Sequence, residues 1–231
     1  MARDFPGSGT NVVRILNPTG PLDMSSTDFT IAAWIKPDTV PGGGANAHVV
    51  GKAGNTAASV QYGLLLIDTS GAKAVLQWGD GVGTLQSITS ATNISTGVWT
   101  HVCAKTTAGT GLSKLFLNGV LSTTATRTVT LGDTASNFVI GARGDGSTNP
   151  YDGKVAEVAV WNVALTDAEI AALGKGVSPF LVRPKNLMAY YSLWGVGAAD
   201  EPDLSGNAQT LTETGTVGVA DHSPTGPMIL A

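Results

Sequence analysis

Turns marked by glycine and proline interrupt this chain about every ten residues, and that rhythm limits it to short elements. The clearest are Pro41-Gly42-Gly43-Gly44, Asp80-Gly81, Asn118-Gly119, Gly144-Asp145-Gly146 and Asp152-Gly153. Between them lie runs rich in β-branched and aromatic residues. These predict strands at 11–16, 29–36, 61–67, 73–78, 98–105, 113–117, 138–141 and 154–162. In Val98 to Cys103 the alternation puts Val98, Thr100 and Val102 on one face and Trp99, His101 and Cys103 on the other. Asn118-Gly119 supplies the positive φ angles of a two-residue hairpin turn within 115–121. One helix is predicted: Thr166 is its N-cap, Glu169 the capping-box partner, Ile170 and Leu173 its apolar face, and Gly174 its C′ residue. The expected fold class is therefore all-β, a sandwich or barrel, with one short helix.

Composition narrows the function. Of 231 residues only 13% are charged, with 13 Lys and Arg against 17 Asp and Glu for a net charge of −4. No basic run provides the electrostatic footprint of nucleic-acid binding, and apolar stretches such as Leu64 to Ile67 are strand-sized rather than membrane-spanning. The N-terminal residues lack an apolar secretion core, so the expectation is synthesis in the cytoplasm without a signal peptide. The single cysteine, Cys103, lies in an apolar strand pattern and is expected to be a buried hydrophobe.

Several segments together resemble the laminin-G-like, concanavalin A-like lectin and glucanase superfamily. Phe29-Thr30-Ile31-Ala32-Ala33-Trp34-Ile35-Lys36-Pro37 resembles an early strand, and Val49-Val50-Gly51-Lys52 with Tyr62-Gly63-Leu64 the next hairpin. Gly97 to Val102, Leu115 to Gly119, and Asp152 through Ile170 resemble later family motifs. Leu187 to Leu193 followed by Asp203 to Asn207 looks displaced, because its counterpart normally precedes the early strand. The expected division is a laminin-G-like sandwich over 1–177 and a Pro-containing segment over 178–231. That segment either completes the sandwich as a circularly permuted strand or forms an interaction arm.

Candidate sites follow from residue chemistry. Asp203-x-Ser205-x-Asn207 spaces three oxygen ligands as in the start of a calcium loop, with a turn cap as the plainer explanation. If Ala156, Val158 and Val160 face the core, Glu157 and Trp161 share the other face, where a carboxylate beside an indole could bind sugar. Trp34, Trp78, Trp99 and Trp194 are mostly expected in the core. Arg143-Gly144-Asp145 forms an integrin-type tripeptide, making Arg143 and Asp145 candidate ligand residues in a loop tip that also reads as a tight turn. Catalysis is not expected. Glu157 has no acidic residue at i±2 or i±4, whereas retaining glycoside hydrolysis needs two carboxyl groups about 5 Å apart. The three histidines, His48, His101 and His222, lack metal-ligand spacing.

The resemblance implies an all-β antiparallel jelly-roll β-sandwich with one short helix, acting as a non-catalytic binding or structural module. Its expected setting is a phage virion surface, as a decoration or fibre protein and a homo-oligomer, with glycans or capsid proteins as partners. Calcium is the one cofactor suggested. Two alternatives stand: a polysaccharide-active glycoside hydrolase or its carbohydrate-binding module, and a pentraxin-like calcium-dependent ligand binder.

Overall fold

The computed structural model describes residues 2–8, 10–24, 28–108, 111–144, 146–194 and 200–224. In chain order the first strands are β1 (Ala2–Pro6), β2 (Val12–Ile15), β3 (Phe29–Pro37), β4 (Asn46–Ala53), β5 (Val60–Asp68), β6 (Ala72–Gly79) and β7 (Leu85–Thr89). Next come β8 (Thr100–Thr106), β9 (Leu112–Leu117), β10 (Val120–Thr126), β11 (Phe138–Ile140) and β12 (Asp152–Trp161). The helix α1 (Asp167–Leu173) precedes β13 (Leu187–Tyr191), β14 (Thr212–Thr214) and β15 (Gly218–Ala220).

These strands form two antiparallel sheets, a sandwich of the expected class. Sheet I runs β10-β9-β8-β3-β12-β1-β15, with β13 also on β12; sheet II runs β14-β2-β11-β4-β5-β6-β7. The core lies between them because strand alternation sends every second side chain inward. On β3, Phe29, Ile31, Ala33 and Ile35 enter the main core, joined by Tyr62, Leu64, Leu76 and Trp78 of sheet II. The opposite face of sheet I holds a second apolar cluster beneath α1, built on Cys103, Phe116, Trp161, Ile170, Leu173 and Tyr190. Cys103 is free and buried there, and burial pushes its thiol pKa up. The strands of residues 187–220 enter both sheets: β13 and β15 pair with β12 and β1, and β14 pairs with β2. No helix among the described residues is long and apolar enough to cross a membrane.

Two expectations need correction. Gly174 has φ −65 and ψ −12, ordinary right-handed values, and the left-handed glycine is Gly176 at φ +91. Gly174 is small for a different reason: a Cβ there would lie 2.3 Å from the Gly119 nitrogen of the β9–β10 turn. Ala156 faces outward rather than into the core, packing with Ala2 and Trp34. A β-bulge between Ala156 and Ala159 in the β12–β3 ladder changes the alternation there.

Candidate binding site

The bulge determines what Glu157 can do. Its backbone adopts φ +52, a left-handed conformation uncommon outside glycine, asparagine and aspartate. Its Oε2 accepts a 2.6 Å hydrogen bond from the Tyr190 hydroxyl, and its Oε1 lies 3.0 Å from His222 Nε2. Burial, and then the adjacent Glu157 carboxylate, push the Tyr190 pKa up, so this hydroxyl keeps its proton and donates. Only 6% of the Glu157 side chain is exposed, so the carboxylate serves the fold rather than an open surface. Trp161 is fully buried under the helical segment, its Nε1 donating to the Val182 carbonyl at 2.8 Å, and it offers no free ring face. Trp194 is the exposed indole nearby, meeting His222 edge-on at 5.3 Å.

The other predicted positions are similarly engaged. Arg143 Nε donates to the Gly54 carbonyl at 2.5 Å. It also stands near His48, whose pKa falls to about 3, mainly through burial and then through the Arg143 charge. Asp145 lies outside the described residues. Asp203 Oδ1 accepts from the Tyr190 and Ser205 amides, and its Oδ2 from the Ser205 hydroxyl and the Gln209 amide. Asn207 Nδ2 donates to the Leu187 and Met188 carbonyls. Asp203, Ser205 and Asn207 thus clamp a turn onto β13. A calcium ion fits poorly, since both Asp203 oxygens already accept donors. Among the described residues no cluster of three His, Cys, Asp or Glu side chains could hold a metal.

An open site lies instead at one end of the sandwich. Loops after β1, β3 and β11 enclose a cleft of about 440 Å³, within the usual size range of ligand sites. Val40, Pro41 and Pro150 contribute apolar walls, with Ala47 and Leu66 also lining it. The polar lining is Thr39, Asn46, Asn149 and Asp152. Asn149 sits at φ +52 and donates through Nδ2 to the Asn46 carbonyl at 3.0 Å, which fixes its side chain. The Thr39 hydroxyl donates to Asp152 Oδ2 at 2.8 Å. Gly7 lets the β1–β2 turn pass close by, since a Cβ there would stand 2.6 Å from Asp152 Cβ. Three hydrogen-bonding groups have no partner among the described residues: Asn46 Nδ2, Asn149 Oδ1 and Asp152 Oδ1.

A family model described as the concanavalin A-like lectin/glucanases superfamily, of laminin-G type, matches residues 7–171. The chain belongs to this superfamily. No curated protein sequence matches the chain. Among solved structures, a putative carbohydrate binding protein from Bacteroides ovatus aligns with TM-score 0.71 at 24% identity, over 95% of this chain and 60% of that one. This chain therefore spans less than two thirds of that relative. The heptameric SAP-like pentraxin of Limulus polyphemus aligns with TM-score 0.57 at 18% identity, covering 77% of this chain and 83% of that one. Domain 4 of AbnA, a GH43 extracellular arabinanase from Geobacillus stearothermophilus solved with arabinotriose, gives TM-score 0.55 at 20% identity, over 75% and 76% of the two chains. At these identities the structural likenesses establish a shared fold alone.

Within that superfamily fold the cleft residues are loop residues, and their sequence signal is turn composition alone. Asp152 stands out in the sequence only through the Asp152-Gly153 turn signal and as the start of a family-like motif. Asn46 and Asn149 lie 103 positions apart, so no spacing motif joins them.

Proposed function

We propose that this chain is a non-catalytic carbohydrate-binding module whose end cleft takes a neutral glycan. The observation that carries the reading is the set of free groups in that cleft: an amide NH₂, an amide oxygen and a carboxylate oxygen between apolar walls. Sugar hydroxyls both donate and accept, so adjacent hydroxyls match such a mixed set, while their C–H faces suit proline and valine. The glycan- and carbohydrate-related relatives support the same reading by analogy of fold.

The use of the glutamates supports a non-catalytic role. Glu157 is held by Tyr190 and His222, and Glu169 by the helix cap and Arg183. Glu201 and Glu213 both contact the buried Arg3 guanidinium. Display of the cleft on a virus particle rests on the sequence resemblance and is tested by co-sedimentation with purified particles.

Calorimetric titration with arabino-, cello- and xylo-oligosaccharides, arabinotriose included, tests the reading. At least one series should bind, and Asp152→Asn should weaken it about tenfold or more, the expected cost of a hydrogen bond to a charged group. Binding unchanged in Asp152→Asn would place the glycan elsewhere. Release of reducing ends would contradict the non-catalytic reading.

A further inference from the structure

Asp152 of the end cleft and Lys154 of a second depression lie two residues apart on β12. Residues 152 and 154 share a face of β12 about 7 Å apart, so the Asp152 side of the cleft leads directly to Lys154. Lys154 is held by Asp38 and, at 3.4 Å, by Asp4. Lys154 also lines the second depression, of about 450 Å³, together with Lys36, Val219, Ala220 and Asp221.

The second depression has unmatched polar groups of its own. Lys36 stands directly opposite Lys154 across the β3–β12 ladder, an arrangement of like charges that costs stability unless compensated. Asp4 and Asp38 compensate Lys154, whereas Lys36 has no ion pair among the described residues. Asp221 is exposed and also has no ion pair among them. Ala220 joins the depression to the apolar cluster of Trp34, Ala156 and Ala2, against which the partly exposed Trp99 packs. A strip thus runs from amide and carboxylate groups, across an ion network, to a cation, an anion and an indole.

Resting on the glycan reading above, we infer that this strip is one extended binding path, and that its ligand is an internal stretch of a linear neutral polysaccharide rather than a terminal sugar. The end cleft holds one part of the chain. Lys36 donates to, and Asp221 accepts from, hydroxyls of the next units, and Trp99 offers an apolar face to a sugar ring. The ligand is neutral because the six charged groups along the strip, Asp4, Lys36, Asp38, Asp152, Lys154 and Asp221, sum to −2 and would repel an acidic chain.

Calorimetry on the full chain with mono- through hexasaccharides of the arabino-, cello- and xylo-series tests the path. Affinity should rise at least tenfold from disaccharide to hexasaccharide. Lys36→Ala, Asp221→Ala and Trp99→Ala should each lower hexasaccharide affinity about fivefold and leave disaccharide affinity unchanged, while Asp152→Asn weakens both. Because Trp99 is partly buried, the Lys36 and Asp221 variants carry the test if Trp99→Ala folds poorly. Equal affinity at every length, or no effect of Lys36→Ala and Asp221→Ala alongside a real loss in Asp152→Asn, would overturn the path and leave the cleft standing. Failure of every oligosaccharide to bind the unmodified chain would overturn both.

Discussion

Single residues on this sandwich do unequal work, and Glu157 carries an unusual share. Its positive φ costs on the order of 1 kcal/mol or more, so the hydrogen bonds it makes must hold the conformation. Glu157→Ala leaves the buried Tyr190 hydroxyl without its acceptor and should destabilise by about 2 kcal/mol. Adding Tyr190→Phe should recover part of that loss, and urea unfolding of the double-mutant cycle measures the coupling. Strictly additive losses would show that the two side chains do not act together. The histidines give a second expectation. His48 and His101 are buried with pKa lowered to about 3, so the folded state keeps them neutral while the unfolded state protonates near 6.5. Their contribution is complete above pH 6.5 and declines as pH falls towards 3. Together they should lower stability by roughly 2–3 kcal/mol at pH 5.5. Unfolding midpoints that do not move between pH 7.5 and 5.5 would contradict it. The sequence made Glu157 conspicuous as one of four glutamates but could not show its partners, because Tyr190 reaches it from β13 and His222 from the segment after β15.

At the scale of elements, strands with strong alternation and adjacent turns were legible, β3, β5, β6, β8 and β12 above all. The short strands β1, β7, β14 and β15 were not, since three to five residues without a marked pattern take their conformation from neighbours. The helix start was legible because its signal is local: the Glu169 amide donates to Thr166 Oγ1 at 3.2 Å, and the Thr166 amide to Glu169 Oε2 at 2.7 Å. Thr166→Ala should cost about 1 kcal/mol. The helix end was misread because Gly174 is required by a tertiary contact with Gly119, which no local pattern reveals. Gly174→Ala should therefore cost more than Thr166→Ala, about 1–3 kcal/mol, by forcing the β9–β10 turn away. Thermal melts compare the two, and a neutral Gly174→Ala would remove the contact from the account. The cleft was illegible for the same reason: sheet pairing brings its loops together from three parts of the chain.

Across the whole molecule, low charge coexists with a few deliberately placed ions. Arg3 on β1 is fully buried and contacts Glu201 and, at 2.9 Å, Glu213, tying the first strand to the C-terminal region. Arg3→Met should cost about 3–5 kcal/mol, because two buried carboxylates lose their cation. A loss below about 1 kcal/mol in urea unfolding would mean that the termini are held by strand pairing alone. The sandwich thus closes around Glu157, Glu201 and Glu213, while the end cleft keeps unmatched hydrogen-bonding groups on Asn46, Asn149 and Asp152. Amide chemical-shift mapping of the nitrogen-15-labelled chain with the oligosaccharide panel tests that division most directly. The largest shifts should fall at residues 39–47 and 149–152. Shifts confined to the Asp203–Asn207 turn or the surroundings of Glu157, or none with any oligosaccharide, would contradict it.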